Sequence, residues 1–360
     1  MRVLVVSHPA LTAELGAAQI ALNLAEALRD RGHDARAWSP EPLAAGTRWW
    51  NLWLHQRRAV ERFVAAEGPF DVVDTPAISA TRTLARLAPL VVRSVQPELR
   101  YLWHGIRSDL ASHPSPRAVA HALLGGPRAA AIVSGWRRGR SILCLGRQEL
   151  AWMRRRFPWW SAKLGLYLCA PRPEERSAFA EVRRQRRAAT AGPGEGRTRF
   201  LWIGRWAAHK GTGRLLRLLR ERIAGSPREA FTLAGCGPIE RRLPAPWLRA
   251  GRVRVVPAFT RAELPALLAD HSAGLFTSDV EGWGISLNEM LESGMTVFAT
   301  EAGAVADLRP FPPPATIDAA PLEDLDANGY YRRFSWPEIA LSYERQALQA
   351  LVDGPAARRP

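Results

Sequence analysis

Cysteine is scarce in this sequence, which has only Cys144, Cys169 and Cys236 in 360 residues. The three are isolated, and no Cys-x-x-Cys pair or series of His and Cys residues occurs. This spacing argues against a disulfide framework or a zinc site, and a reducing compartment fits better.

Long apolar runs are also missing, because no stretch approaches the roughly 18 to 20 residues that cross a bilayer. The N-terminal run Val3–Val6 is short and predicts a first strand instead of a secretory signal. The expected location is therefore the cytoplasm.

Lysine is almost absent: only Lys163 and Lys210 occur, so arginine supplies nearly all the basic charge behind a net charge of +16. A general bias towards Ala, Gly, Pro and Arg accounts for part of this excess. Residues 1–170 nevertheless carry 23 basic and 12 acidic side chains, a net of +11. Such a basic half attracts anionic partners, for which nucleic acid, phosphorylated lipids and an anionic membrane surface are candidates. No nucleic-acid-binding module is recognisable, so we expect no nucleic acid partner.

The chain is long enough for two domains of about 150 to 180 residues. Short apolar runs alternate with segments of helical length, which is typical of parallel βαβ units. The predicted fold class is therefore α/β, with two consecutive Rossmann-like β/α/β domains. The predicted strands of the first half are Val3–Val6, Ala35–Trp38, Asp71–Asp74, Leu90–Arg93, Ala130–Ser134, Ile142–Leu145 and Leu164–Cys169.

A polar, arginine-rich stretch over residues 171–197 contains Ala191-Gly-Pro-Gly-Glu-Gly196 and predicts a linker between the domains. The pattern then restarts, which places an N-terminal domain at 1–170 and a C-terminal domain at 198–335. A final helix and tail occupy 336–360. The predicted strands of the second domain are Arg199–Ile203, Ala230–Leu233, Arg252–Val256, Gly274–Thr277 and Val297–Thr300.

Two glycine-containing loops follow strands of the second domain. The first runs from Ile203 through Gly204 and Arg205 to Lys210 and Gly211. Glycines at a strand-to-helix turn let backbone N–H groups approach an anion, and the two cations can offset a diphosphate. An ordinary solvated loop also explains this string, although it holds one of only two lysines. The second loop, Gly235-Cys236-Gly237-Pro238, is better explained by a tight turn when it is taken alone.

A third loop carries a pair of carboxylates, Glu281 and Glu289, separated by seven residues of which two are glycines. Glu281 lies in the loop and Glu289 in the first turn of the next predicted helix. Ser286 and Glu289 also fit a helix capping box, which would give Glu289 a structural role. That alternative does not account for Glu281 or for the glycines.

Taken in order, these motifs resemble the retaining GT-B glycosyltransferases of the glycosyl transferases group 1 family, often called family 4. The family's hallmark is E-G-[FW]-G-[IL]-x-x-x-E, matched here from Glu281 to Glu289. Its further motifs G-R-x-x-x-x-K-G, G-x-G-P and A-G-x-x-x-D are matched by Gly204, Arg205, Lys210 and Gly211, by Gly235, Gly237 and Pro238, and by Ala302, Gly303 and Asp307. The resemblance covers about residues 198–350.

The resemblance implies a GT-B fold, in which two Rossmann-like domains face a central cleft, and a nucleotide-diphosphate sugar as co-substrate. Arg205 and Lys210 would hold the donor diphosphate, and Glu281 would bind hydroxyls of the donor sugar. Glu289 would bind the nucleotide ribose. Because two cations serve the leaving group, no metal or other cofactor is expected. The remaining donor-binding residues implied are Gly16, Gly204, Gly237, and the backbone at Trp283, Gly284 and Ile285.

The first domain departs from the family pattern at two places. Gly16 stands alone in a loop that is commonly Gly-Gly-x-Glu, and Val95 or Gln96 stands where many relatives have a histidine. In retaining enzymes the departing phosphate can accept the proton, so a separate base is not demanded. Glu98 and His104 are candidates for contacting the acceptor, with solvated loop positions as the alternative.

The segment Trp49–Arg58 is rich in tryptophan and arginine. It fits a helix that meets a membrane surface or a lipid-linked acceptor, and it fits packing against the first domain equally well. The function predicted is retaining, metal-independent sugar transfer to an acceptor glycan or lipid-linked sugar, in cell-envelope polysaccharide or glycolipid assembly. The expected location is the cytoplasm, with peripheral attachment to the inner face of the membrane. A catalytically silent nucleotide-sugar-binding protein is the alternative, because the histidine is missing.

Overall fold

The structure is a computed structural model in which residues 1–12, 14–43, 46–112, 115–190, 198–309 and 329–348 are described. The chain divides into two compact units. The first combines Met1–Cys169 with the segment from Phe334 onward, and the second is Ala170–Arg333. Across the described ranges, no helix is long and apolar enough to cross a lipid bilayer.

The first unit is built on a six-stranded parallel sheet in the order β2-β1-β3-β4-β5-β6. Apolar runs such as Val3–Val6 are buried along their whole length, as expected for parallel strands covered on both faces. The strands are β1 Arg2–Val6, β2 Asp34–Trp38, β3 Val72–Thr75, β4 Leu90–Arg93, β5 Ser141–Leu145 and β6 Leu164–Tyr167. The helices are α1 Gly16–Asp30, α2 Leu52–Glu67, α3 Arg82–Leu87, α4 Glu98–Ser112, α5 Pro116–Arg138 and α6 Arg147–Arg156.

The second unit has a five-stranded parallel sheet in the order β11-β10-β7-β8-β9. Its core lies around Phe200, Trp202 and Leu233, with Leu215 and Leu219 covering it from α8. The strands are β7 Thr198–Ile203, β8 Glu229–Ala234, β9 Val253–Val256, β10 Ala273–Phe276 and β11 Thr296–Ala299. The helices are α7 Pro173–Thr190, α8 Thr212–Gly225, α9 Ala245–Arg249, α10 Leu264–Ala269, α11 Ile285–Glu292, α12 Val305–Leu308 and α13 Tyr330–Arg333.

The chain returns to the first unit through α14, Trp336–Tyr343, and a π-helical turn, Glu344–Leu348. The Tyr343 hydroxyl donates to Asp74 Oδ2 at 2.9 Å inside the sheet. The side-chain amide of Gln346 exchanges two hydrogen bonds with the backbone of Leu166, at 2.7 and 2.8 Å, along the edge strand β6. These contacts make the C-terminal segment part of the first unit's structure.

The stretch predicted as a linker is different in the structure. Residues 173–190 form α7, whose Phe179 and Val182 are buried in the second unit. Its arginines also have internal partners: Arg183 donates to the carbonyl of Glu292 at 2.6 Å and Arg186 to that of Leu268 at 2.8 Å. Cations suit the carbonyl ends of helices, so arginine here is structural. The glycine-rich string at 191–196 lies outside the described residues.

The predicted strand Ala130–Ser134 is wrong, because these residues lie within α5. The helix begins with Ser115, whose hydroxyl accepts the Ala118 N–H, and it continues through Pro127 to Arg138. A short apolar run is consistent both with a buried strand and with the buried part of a helix, so the run alone does not distinguish them.

Candidate functional site

The order of the second sheet determines which loops meet. Strands β7 and β10 are neighbours, with Leu275 opposite Trp202, although two strands separate them in sequence. Connections therefore leave β7 and β10 in opposite directions, and such a switch point is where open α/β sheets bind ligands. The loops after β7 and β10 are the ones that carry Lys210 and Glu281.

Lys210 and Glu281 form an ion pair at this switch point. Lys210 ends a short 3-10 turn, Ala208–Lys210, and its Nζ lies 2.5 Å from Glu281 Oε2. Ser278 donates to the same oxygen at 3.0 Å. Both charged side chains are mostly buried, with 17% and 14% of their surface exposed. The site thus presents a fixed cation and a fixed carboxylate side by side.

Backbone hydrogen bonds hold the two loops together. The Thr277 hydroxyl donates to the carbonyl of Lys210 at 2.9 Å, and the N–H groups of Asp279 and Val280 donate to the carbonyl of His209. Trp202 supports this arrangement from β7, because its indole N–H donates to the Thr277 hydroxyl at 3.0 Å. The positions of Lys210 and Glu281 are therefore set by main-chain contacts and not by their ion pair alone.

Glycine is required where these loops cross. Gly211 has a φ of +68°, and a Cβ placed on it would lie 1.8 Å from the carbonyl oxygen of Thr277. Gly284 has a φ of +84°, and its Cβ would lie 2.6 Å from the ring of Phe276. Gly303 is limited in the same way by the carbonyl oxygen of Trp283, at 2.5 Å. These glycines allow the close packing that builds the site.

We expect Gly211→Ala to lower the free energy of unfolding by about 1 to 3 kcal/mol more than Gly251→Ala, measured by urea unfolding. Gly251 is the matched control, because its φ is +62° and nothing lies within 4 Å of a Cβ built on it. Both variants bear the cost of a left-handed alanine, about 1 to 2 kcal/mol. Equal destabilisation would mean that the crossing with Thr277 tolerates a side chain.

Arg205 lies in the loop after β7 and its side chain is exposed. It makes no ion pair with any residue that the structure describes. Gly204 packs beside the Trp202 ring, and Gly237 lies in a turn with a φ of +73° and open space around it. The predicted phosphate contacts of Arg205 and of the two glycines stay predictions.

Glu289 is buried in α11 and pairs with Arg261, whose Nη1 donates to Oε1 at 2.6 Å. Arg261 also donates to Glu175 Oε1 at 2.8 Å. Burial raises the pKa of Glu289, while the charge of Arg261 opposes that rise. The capping-box alternative is wrong, because α11 begins at Ile285 with Gly284 as its N-cap, so Ser286 is already inside the helix.

Sequence reasoning missed Arg261, Glu175 and Ser278. Arg261 precedes α10 and Glu175 lies in α7, so 28 and 86 residues of sequence separate Arg261 from its two partners. No motif marks any of the three. Ser278 stands three residues before Glu281, and a single serine at that place does not indicate a functional residue.

The backbone from Trp283 to Ile285 is held by a buried network. The Trp283 indole N–H donates to Asn288 Oδ1 at 2.5 Å, and Asn288 donates to the Tyr330 hydroxyl at 2.9 Å. Tyr330 in turn donates to Glu292 Oε1 at 3.0 Å. Ile285 opens α11, and the first N–H groups of a helix have no acceptor within it. These N–H groups can donate hydrogen bonds to an anionic ligand.

Polar residues also gather in the first unit at the switch point between β1 and β3. His8 follows β1, and its Nε2 lies 2.8 Å from the Ser79 hydroxyl. Burial lowers the pKa of His8 to about 4, so the imidazole is neutral at pH 7. From the sequence we had expected His8 to be structural or exposed, although its place directly after the first strand was a usable signal of a functional site.

Glu98 begins α4 and accepts hydrogen bonds from the backbone of Ala77 and Ile78. Burial, with the nearby charge of Glu149, raises the pKa of Glu98 to about 8. Glu149 itself is buried, and it accepts from Ser94 and from the N–H of Leu145. Its pKa is raised to about 7, chiefly by burial. The loop after β4 is thus tied to the loop after β3.

The other two candidates of the first unit lie on helices. His104 is on α4, six residues beyond Glu98, and Gly16 is the first residue of α1. Within the ranges described, no group of three or more His, Cys, Asp and Glu side chains is placed to hold a metal ion. The acceptor role of Glu98 and His104 and the donor role of Gly16 stay predictions.

Comparison with known proteins bears on the fold. The chain aligns with sucrose-phosphate synthase from Thermosynechococcus elongatus with a TM-score of 0.67 and 16% identity, covering 98% of this chain and 99% of that one. It aligns with WaaG, a glycosyltransferase involved in lipopolysaccharide biosynthesis, with a TM-score of 0.59 and 15% identity, covering 98% and 100%. The fold is GT-B.

Sequence comparison concerns the second unit. Residues 197–310 match the family described as Glycosyl transferases group 1. The resemblance to this family is confirmed. A stretch of 113 residues is also 28% identical to an uncharacterised glycosyltransferase, YqgM, of Bacillus subtilis (strain 168). That match covers 30% of this chain and about a third, 32%, of the length of the relative. The glycosyl transferases group 1 segment contains Arg205, Lys210, Glu281 and Glu289, so every residue of the donor site implied by the strongest motifs lies in it.

Proposed function

We propose that this chain is a glycosyltransferase that moves a sugar from a nucleoside diphosphate sugar to an acceptor hydroxyl with retention of anomeric configuration. The observation that carries the proposal is the Lys210–Glu281 pair at the switch point of the second sheet. A cation for the diphosphate and a carboxylate for the sugar hydroxyls stand together on two loops that main-chain contacts fix. The glycosyl transferases group 1 segment supports the same assignment.

In the proposed reaction the bond between the anomeric carbon and the phosphate oxygen breaks, and its electron pair goes to the departing diphosphate. Lys210 and the exposed Arg205 stabilise the negative charge that develops there. The acceptor oxygen forms the new bond on the same face of the sugar, and its proton goes to the departing phosphate. This route uses two protein cations and no metal ion.

In this proposal Lys210 and Glu281 pair with each other before the donor binds, and each contacts the donor afterwards. Lys210 can turn from the carboxylate towards a bound diphosphate, because its backbone is held independently of the pair. Glu281 keeps the hydrogen bond from Ser278, which orients its carboxylate when the lysine moves. Glu281 is then free to accept hydrogen bonds from hydroxyls of the donor sugar. The pair therefore holds both groups ready before the donor arrives.

For Glu289 we propose the ribose of the nucleotide as ligand. Arg261 occupies Oε1, and Oε2 has no hydrogen-bond partner in the described part of the chain. A buried carboxylate with one oxygen fixed offers a well-oriented acceptor to a diol. Arg261 thus acts as a positioning residue for this contact.

The acceptor belongs, in this proposal, to the first unit. Glu98 and His104 are the candidates from the sequence, and the His8–Ser79 contact at the first switch point adds a neutral imidazole. We propose an acceptor glycan or lipid-linked sugar used in polysaccharide or glycolipid assembly, met in the cytoplasm at the inner face of the cell membrane. The net charge of +11 over residues 1–170 supports an anionic acceptor or surface.

The donor is tested by thermal shift with UDP-, GDP-, ADP- and dTDP-sugars on the wild type and on Lys210→Ala. We expect one base to raise the Tm of the wild type by about 5 °C at saturating ligand, and by much less in the variant. Hydrolysis of the stabilising sugar nucleotide is then measured. Binding without hydrolysis or transfer to any acceptor would favour a silent nucleotide-sugar-binding protein, and stabilisation by no donor would refute the proposal.

A further inference from the structure

Among the exposed positions in the first four turns of α5, Arg117 is the one charged residue. The exposed positions of this part of the helix, Arg117 aside, are Pro116, Val119, Leu123, Gly126, Pro127 and Ala130. Leu123 is 74% exposed, more than any other large apolar side chain that the structure describes. Helices on a protein surface normally direct charged residues outward, so an apolar outer face indicates a contact with something else.

The neighbouring helix α4 extends this apolar surface. Trp103 and Leu110 are 47% and 42% exposed, and the exposed Arg107 lies between them on the same side of the helix. His121 of α5 joins the two helices, because its Nδ1 lies 2.7 Å from Asp109 Oδ2 of α4. The pairing also gives Asp109, the exposed carboxylate of α4, a hydrogen-bond partner.

The tryptophan-rich segment packs on α5. Arg128 of α5 donates to the carbonyl of Trp49 at 3.1 Å. The guanidinium of Arg117 lies 5.2 Å from the centre of the Trp49 ring. Trp50 and Leu52 beside it are 48% and 36% exposed. Exposed apolar side chains thus lie on three neighbouring segments of the first unit; together we call them the tryptophan face, defined as Trp49, Trp50, Leu52, Trp103, Leu110, Val119 and Leu123.

The charge around the tryptophan face has one sign. Residues 46–58 and 98–138 contain nine arginines and only two carboxylates, Glu98 and Asp109. Asp109 pairs with His121, and Glu98 is turned towards the backbone of Ala77 and Ile78. Exposed tryptophan and leucine bordered by arginine is the composition of helices that lie in a bilayer interface.

We propose that the tryptophan face binds the surface of an anionic lipid bilayer, with α5 lying in the plane of the interface. The apolar side chains enter the boundary between headgroups and acyl chains, and the surrounding arginines contact lipid phosphates. Sequence reasoning had suggested this role for Trp49–Arg58 alone; the structure adds α4 and α5. The inference depends on the first unit and not on sugar transfer by the second.

Vesicle flotation of the full chain tests the proposal. We expect binding to vesicles of equal parts phosphatidylcholine and phosphatidylglycerol, and little binding to phosphatidylcholine alone. Leu123→Glu should weaken binding about tenfold or more, because it places a charge at the centre of the apolar contact. Leu87→Glu is the matched control: Leu87 is 41% exposed on α3, outside the tryptophan face, and its replacement should leave binding within about twofold.

Charge is tested separately with Arg107→Glu and with added salt. Each is expected to weaken binding to the anionic vesicles about fivefold or more, since one arginine near such a surface contributes a factor of that order. Sugar-nucleotide binding in the thermal-shift assay should be unchanged in all three variants. Equal binding by Leu123→Glu and Leu87→Glu, or binding that ignores lipid charge, would overturn the proposal. So would sedimentation showing a stable dimer that Leu123→Glu dissociates, because the occupant would then be a second copy.

Discussion

Replacing Lys210 with alanine should lower kcat/KM for sugar transfer by about 10²- to 10³-fold, as measured with the donor that the thermal-shift panel identifies. The lysine is one of two cations available to the departing diphosphate, and it is the one whose position the structure fixes. Arg205 remains in the variant, so a residual activity is expected. The loss should fall mainly on kcat, because the charge on the diphosphate is greatest in the transition state.

The matched control is Arg220→Ala, which removes an exposed cation on α8. Its kcat/KM should stay within about twofold of the wild type. Glu281→Ala should lose activity as Lys210→Ala does, and both variants should keep the far-UV circular dichroism of the wild type. Full activity in a folded Lys210→Ala or Glu281→Ala protein would remove the switch point of the second sheet as the reaction site.

Arg261→Ala should lower the free energy of unfolding by about 3 to 5 kcal/mol at pH 8, measured by urea unfolding of the whole chain. The substitution leaves the Glu289 carboxylate buried without its cation. It also leaves Glu175 without the same partner. An unpaired buried charge is among the few single changes that cost this much.

The destabilisation should shrink as the pH falls. Burial raises the pKa of Glu289 in the folded state, and the loss of Arg261 raises it further, because that cation favours the charged form. A carboxyl whose pKa is raised in the folded state lowers the free energy of unfolding as the pH increases above the unfolded pKa of about 4.3. Arg261→Ala should therefore be closer to wild type at pH 5 than at pH 8.

The double variant Arg261→Ala/Glu289→Gln provides the control. Glutamine is uncharged, so the double variant has no unpaired buried charge at this position. It should therefore be more stable at pH 8 than Arg261→Ala alone. It should also lose most of the added pH dependence. A single variant whose deficit is the same at pH 5 and pH 8 would show that Glu289 is not the group left unpaired.

Much of the fold could be predicted because residues close together in the sequence determine where its strands and helices form. Runs such as Val3–Val6 and Arg199–Ile203 are short and largely apolar, and they alternate with segments of helical period, so the pattern alone indicates parallel βαβ units. The prediction failed where local signals are ambiguous. Ala130–Ser134 is apolar enough for a strand and lies in a helix. The arginine-rich stretch was predicted as a linker, but its Arg183 and Arg186 donate hydrogen bonds to carbonyl groups at the ends of α11 and α10.

The sequence by itself determined the two parallel α/β units, and its motifs predicted a donor site at Arg205, Lys210, Glu281 and Glu289 of the second unit. Only the tertiary structure decided their partners. Strand order brings Lys210 onto Glu281 across 71 residues of sequence, and Arg261 onto Glu289 across 28. The packing of α4, α5 and the Trp49 segment also brings together the residues of the tryptophan face. The physical reason is that propensity and hydrophobic period act over a few turns of chain, whereas ion pairs and exposed surfaces form between elements that packing alone brings together.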